Sequence, residues 1–243
     1  DLHLPEYAHN VTPPVTLREG LDFHPHSRIS RWAPGSRMSY CNSGPPVAAY
    51  IVEKLSGMAF EDFVQENFFD PLGMQAASYY ANADYRELGA SLYTADGRQA
   101  DYWNIIMRPS GSINASPRDM ARYLEFFIHR GVIDGDRLSD EASLQRMESV
   151  RSTSAAAAGQ AGGYGLSNYS SRHDQWSYRE HNGGVIGGIT EFAYLPEAGR
   201  GHAIMLSNDD GSALGAISDL VRDFDDGPHG GDTGEVHQHE QQV

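Results

Sequence analysis

A switch of hydrophobic period after about residue 150 constrains the fold of this chain more than any other feature. From about residue 45 to 150 apolar residues recur three and four apart, as on one face of a helix, whereas from Gly163 to about residue 206 the texture is that of short strands. Helices followed by strands joined through short turns imply a segregated α+β arrangement with an antiparallel sheet rather than a doubly wound fold. With 243 residues, 40% of them hydrophobic, the chain has enough apolar material for a core.

The first 40 residues are rich in Pro, His and turn formers and carry no sustained apolar period, so residues 1–44 read mainly as an irregular connection. A helical lobe over 45–150 follows. Val47, Ile51, Val52 and Leu55 predict a helix near 45–56, stopped by Gly57. A second helix from Phe60 puts Phe60, Phe63, Val64 and Phe68 on one face and is expected to stop before Pro71. Ser116-Pro117-Arg118-Asp119 has the spacing of a capping box ahead of Met120, Tyr123, Leu124, Phe127 and Ile128. The Ala-, Ser- and Gly-rich stretch 152–163 reads as a linker or flap, with a short helix at Ala155–Ala158 as the alternative.

Residues 151–224 carry the strands: expected at 164–169, 176–180, 189–195 and 202–206, then an amphipathic helix (Leu214, Ile217, Leu220, Val221, Phe224) packed on the sheet. The remaining 225–243 have no apolar period and read as a disordered tail.

Charge and cysteine usage remove several function classes. The formal net charge of -15, with no cluster of Lys and Arg, argues against a nucleic-acid partner. No apolar run approaches the roughly 18–20 residues of a transmembrane helix. One cysteine, Cys41, excludes an internal disulfide and a four-cysteine zinc site, and no Cys-His pairing marks it as a nucleophile. His24 and His26 flank a proline without obvious further ligands, and His229, His237 and His239 sit in the tail, so neither metal nor cofactor is expected.

Two short segments remain as candidates for chemistry. Ser39-Tyr40-Cys41-Asn42-Ser43-Gly44 lies just before a helix, where Tyr40 and Asn42 would present a phenol beside a carboxamide. Its plain structural reading is a helix cap by Asn42 or Ser43 over a packed Tyr40. Glu180-His181-Asn182-Gly183-Gly184 ends one strand shortly before another, and paired glycines let a ligand approach the backbone N–H groups, as an oxyanion hole requires. The plain reading there is a glycine-rich connection with a solvent-facing histidine.

Taken together, the motifs resemble the serine β-lactamase-related family, which includes class C β-lactamases, penicillin-binding proteins, D-aminopeptidases and family VIII esterases. The resemblance runs from about Trp32 to about Phe224. It rests on Tyr40-Cys41-Asn42, Ser56-Gly57, Pro71-Leu72-Gly73-Met74, the segment from Pro109 to Leu124, Gly163-Tyr164-Gly165-Leu166 and His181-Asn182-Gly183, in matching order. It implies a β-lactamase/penicillin-binding-protein-like fold and acyl transfer through a serine ester on a small-molecule or peptide amide or ester. It also implies Tyr40 as proton shuttle, Asn42 as substrate-positioning group and His181 as the third-motif residue. The backbone at Asn182, Gly183 and Gly184 would then line the oxyanion side. Members of this family are often exported to the periplasm or cell envelope.

The family's nucleophile is the serine of Ser-x-x-Lys, and here the lysine count becomes decisive. Of 18 basic residues one, Lys54, is lysine, and Ile51 stands three before it, so the motif is absent. The resemblance therefore implies a C-terminal portion lacking the N-terminal part with the nucleophile, inactive alone and prone to dock to that part or to itself. A free phenol titrates near about 10 and serves as a base near neutrality only beside cations, so Tyr40 is expected to act here as a donor. Histidine titrates near about 6.5, so carboxylate recognition through His181 would weaken as pH rises. The alternative is a non-catalytic module of the same fold that binds peptide or cell-wall fragments.

Overall fold

The computed structural model describes residues 7–8, 15–23, 25–102, 104–151, 153–160 and 162–226, so His24 and the tail histidines lie outside the described residues. After a two-residue strand β1 (Tyr7–Ala8), helix α1 (Leu17–Asp22) opens on a capping box. Thr16 Oγ1 accepts from Glu19 N at 3.2 Å, and the Glu19 carboxylate accepts from Thr16 N at 2.8 Å. This helix lies in the segment expected to be irregular, and the Thr16-x-x-Glu19 spacing was its legible signal. Helix α2 (Gly44–Ser56) ends at Gly57 in the left-handed conformation, φ 74°, as its spacing predicts.

The next helix departs from expectation. From α3 (Phe60–Val64) the chain passes through a π turn (Gln65–Phe69) into α4 (Asp70–Leu72) and stops at Gly73, not before Pro71. A π turn takes in one extra residue, which rotates the apolar face by one position. Phe69 is therefore in the core at 6% exposure and Phe68 outside at 39%. Pro71 falls in the first turn of α4, where a missing N–H costs little.

Helix α5 (Ala83–Leu88) precedes a hairpin of β2 (Leu92–Tyr93) and β3 (Gln99–Ala100), and β4 (Asn104–Ile105) pairs with β1. Helix α6 (Pro117–Ile128) has the predicted capping box: Ser116 Oγ accepts from Asp119 N at 3.2 Å and Asp119 accepts from Ser116 N at 2.8 Å. A hairpin of β5 (Val132–Ile133) and β6 (Asp136–Arg137) leads to α7 (Glu141–Glu148). The Ala-rich stretch then forms α8 (Ser154–Ala157), capped by Thr153.

Four antiparallel strands follow: β7 (Tyr169–His173), β8 (Trp176–Val185), β9 (Gly188–Leu195) and β10 (Arg200–Leu206), ordered β10-β9-β8-β7. The strand expected at 164–169 is instead a turn closed by a bridge between Tyr164 and Tyr169, with Ser167 at φ 61°. Strand β7, being mainly polar, gave no alternating signal. Helix α9 (Gly211–Asp226) packs on β9 and β10 and takes in Asp225 and Asp226 from the expected tail. No helix among the described residues is long and apolar enough to cross a membrane.

Alternation along β9 divides the core between the two faces of the sheet. Tyr194 joins Phe69, Leu72, Leu124, Phe127 and Leu144 on the face covered by α6, where the Phe127 and Tyr194 rings lie 5.0 Å apart. Ala193 and Leu195 join Tyr178 on the other face. There α9 presents Ser218 and Arg222 inward, while Leu220 (69% exposed) and Phe224 (72%) point outward. Arg222 Nη2 donates to Glu180 at 2.6 Å and to Glu191 at 2.8 Å, and Ser218 Oγ donates to Glu191 at 2.6 Å.

Burial alone would raise the Glu191 carboxyl. Hydrogen bonds from His202 and Ser218 and the Arg222 charge outweigh burial and hold it at about 2. A carboxyl depressed in the folded state stabilises above its unfolded value near 4.5, and that contribution fades as pH falls towards about 2. Glu191→Gln, which leaves Arg222 short of one partner, is expected to cost about 3–5 kcal/mol at pH 7. Urea unfolding of both proteins should show this gap closing between pH 4.5 and 2; a pH-independent gap would contradict the assignment.

Candidate active site

Strand alternation places Glu180 and His181 on opposite faces of β8, so Glu180 meets α9 while His181 faces the helical lobe beside Phe192 of β9. There His181 meets two tyrosines. Its Nε2 lies 2.6 Å from Tyr164 Oη, and its Nδ1 lies 2.5 Å from the carbonyl oxygen of Asn182. The Tyr40 ring centroid is 6.1 Å from the imidazole and 6.0 Å from the Tyr164 ring.

These contacts specify a tautomer. Burial, and secondarily the nearby Tyr40, push the Tyr164 hydroxyl up to about 12, so at neutral pH it is a donor. A carbonyl oxygen accepts only. With Tyr164 donating to Nε2, the imidazole proton resides on Nδ1 and is donated to Asn182 O. Both ring nitrogens of His181 are thus engaged within the protein.

The Tyr-x-Asn loop reaches this cluster from the start of α2. Ser43 occupies the N-cap without a side-chain cap bond, so the plain capping reading does not describe this turn. Instead Ser110 Oγ donates to the Asn42 carbonyl oxygen at 2.5 Å and ties the loop to the turn Arg108–Ser110. Among the described residues neither the Asn42 carboxamide nor the Tyr40 hydroxyl has a hydrogen-bond partner, and Tyr40 is 57% exposed.

The glycine motif lies within β8, not in a connection after it. Glu180 is the last β8 residue paired with β7, so from His181 to Val185 the β7-side edge has no strand partner among the described residues. Asn182, Gly183 and Gly184 are exposed along this edge. A Cβ at Gly184 would meet nothing closer than 4.0 Å, so the fold does not itself demand glycine there.

The structure therefore brings Tyr40 beside His181 and Tyr164, next to the edge of β8 that carries Asn182, Gly183 and Gly184, and ties the loop of Asn42 to Ser110. Tyr164 belongs to the Gly-Tyr-Gly motif, whose place was visible in the sequence while its partner was not. Its position is fixed by Gly165, where a Cβ would lie 2.2 Å from Met147 O. That close approach lets Leu166 N donate to Met147 O at 2.7 Å and anchors the turn to the end of α7.

A sheet covered by α6 on one face and α9 on the other, with this cleft beside its glycine-bearing strand, is the β-lactamase/penicillin-binding-protein fold. Residues 27–225 match the Beta-lactamase family, and the chain belongs to it. Penicillin-binding protein 4 of Amycolatopsis lactamdurans is 26% identical over 209 residues, 79% of this chain and 52% of that protein. The chain spans about half the length of the curated relatives it matches. Among solved structures, D-amino acid amidase from Ochrobactrum anthropi SV3 aligns with a TM-score of 0.68 at 18% identity, covering 88% of this chain and 65% of that one. The octameric penicillin-binding protein homologue from Pyrococcus abyssi aligns at 0.66 and 23% identity, covering 88% and 49%.

The hydrogen bond from Tyr164 generates a spectroscopic prediction. In ¹H–¹⁵N correlation spectra at neutral pH, neutral His181 should show the Nδ1–H pattern, and Tyr164→Phe should keep that pattern, held by Asn182 O, while the Nε2 resonance moves as it loses its donor. An Nε2 resonance identical in both proteins would contradict the assigned donor.

Proposed function

We propose that this chain supplies one wall of the active site of a serine hydrolase that cleaves amide or ester bonds through an acyl-serine intermediate, with the nucleophile outside these 243 residues. The observation that carries the reading is the ring contact of Tyr40 with His181, with Asn42 two residues on in the same loop. In the proposed mechanism a serine oxygen from a Ser-x-x-Lys helix attacks the substrate carbonyl. The Tyr40 hydroxyl relays its proton to the leaving group, and the Asn42 carboxamide positions the substrate. The open edge of β8 at Asn182 and Gly184 offers backbone N–H groups to the developing oxyanion, and Gly183 between them keeps that edge clear of side chains. His181 is held by Tyr164 and Asn182 as part of the wall beneath Tyr40.

Surface features support docking of an N-terminal part, or self-association. Strand β10 is a sheet edge, and Leu220 and Phe224 of α9 and Ile51 and Leu55 of α2 are exposed apolar side chains. The name of the amidase neighbour and the penicillin-binding relatives support a substrate of the amide class. The absence of Ser-x-x-Lys favours the second reading, a non-catalytic binder, and the reading frame upstream of Asp1 discriminates between the two.

Intact-mass analysis of this polypeptide after incubation with a fluorophosphonate or a β-lactam should show no adduct, because neither Ser-x-x-Lys nor its lysine is present. An adduct mapped to any serine here would contradict the placement of the nucleophile.

A further inference from the structure

From His181 to Val185 strand β8 is paired with β9 alone among the described residues, so the edge that offers N–H groups is held from one side. Its tip is fixed by the run Ser207-Asn208-Asp209-Asp210, which follows β10. Both carboxylate oxygens of Asp209 accept from backbone N–H groups. Oδ2 accepts from Gly187 N at 3.0 Å, in the turn between β8 and β9, and Oδ1 accepts from Ala95 N at 2.6 Å, in the turn between β2 and β3. Those donors lie 22 and 114 residues away in sequence, so one side chain ties the end of β10 to two remote segments. Among the described residues Asp209 has no cationic partner.

The hairpin of β2 and β3, with two residues in each strand, is too short to hold its own position. Tyr93 N donates to Ser207 O at 3.0 Å and Asn208 Nδ2 donates to Thr94 O at 3.0 Å, which lays the hairpin along the end of β10. Asp209 then draws the β8–β9 turn against it. The approach is so close that Gly187, at φ 82°, admits no side chain: a Cβ there would lie 2.7 Å from Leu92 Cβ and 3.0 Å from Ala100 Cβ. Turn and hairpin brace each other, and the brace closes through one carboxylate. An aspartate suits this place because each of its oxygens accepts, whereas an asparagine has one acceptor oxygen and would turn an NH₂ towards the second N–H.

We infer that Asp209 is a positioning residue for the acyl-transfer site: acting through Gly187 and the hairpin, it fixes the tip of β8 and with it the N–H groups of Asn182 and Gly184. The inference rests on the proposed hydrolase reading and adds to it a residue outside the Tyr40 and His181 contacts. Donors to an oxyanion act by standing in place before the charge develops, so a loosened edge lowers the rate of the chemical step and leaves substrate affinity alone.

The test pairs two measurements. In a chain extended upstream through Ser-x-x-Lys, Asp209→Ala should lower kcat for ester hydrolysis by about 10–100-fold with KM within about twofold of the parent, and Asp209→Asn should fall between the two. Asp210→Ala is the control for a purely structural loss. Asp210 caps α9 by accepting from Ser212 N at 2.9 Å and touches neither the hairpin nor the β8–β9 turn, so its variant should lower the melting temperature and leave kcat unchanged. In ¹H–¹⁵N spectra of the present polypeptide, Asp209→Ala and Asp209→Asn should move the Asn182 and Gly184 amide resonances, and Asp210→Ala should not. A kcat for Asp209→Ala no lower than that of Asp210→Ala, or Asn182 and Gly184 resonances indifferent to both Asp209 variants, would overturn the inference. An extended parent chain that hydrolyses no ester would instead remove the acyl-transfer reading, while the resonances still decide whether Asp209 governs the β8 edge.

Discussion

A buried guanidinium organises the lobe that presents the Tyr-x-Asn loop. Arg108 is 4% exposed and forms an ion pair with Glu61 at the start of α3, donates to Val15 O at 2.8 Å, and lies 5.3 Å from the Tyr80 ring centroid. Neither charge tolerates isolation in that setting: removing one partner of a buried pair costs about 3–5 kcal/mol, most of it from the charge left behind. The pair therefore specifies one relative placement of the N-terminal segment, α3 and the turn from Arg108 to Ser110. Two residues on from the guanidinium, Ser110 holds the Asn42 carbonyl oxygen, so the buried charge fixes where Tyr40 and Asn42 stand.

The second wall of the cleft depends on strand alternation. Glu180 and His181 are neighbours in sequence and face opposite sides of the sheet. Behind the sheet Glu180, Glu191, Ser171, Ser218 and Arg222 form a polar network that anchors α9 to β8 and β9. In front, His181 meets Tyr164 and Tyr40. The network behind keeps β8 in register, and register decides that the imidazole and the open glycine edge share the cleft.

Much of this was legible in the sequence, for definable reasons. Gly57 and the box Ser116-x-x-Asp119 act locally and were read correctly, and the resemblance named Tyr40, Asn42 and His181. Features set by tertiary context were not legible. The π turn at Gln65–Phe69 breaks the 3.6-residue period on which the Phe68 assignment relied, and β7 is a polar strand. The inward face of α9 is partly polar because Arg222 and Ser218 answer buried carboxylates, while its apolar residues Leu220 and Phe224 point out. The Tyr164–His181 bond joins segments remote in sequence, so composition showed the residue types but not their meeting.

The central claim is that Tyr40 belongs to an acyl-transfer site completed by a serine from outside these residues. Its most direct test is ester hydrolysis by a chain extended upstream through Ser-x-x-Lys, with the acyl adduct located by peptide mapping. The account predicts an adduct on that serine and a drop in kcat of about 10²–10⁴-fold for Tyr40→Phe with little change in melting temperature. Hydrolysis that is indifferent to Tyr40→Phe, or an adduct within the present 243 residues, would contradict it.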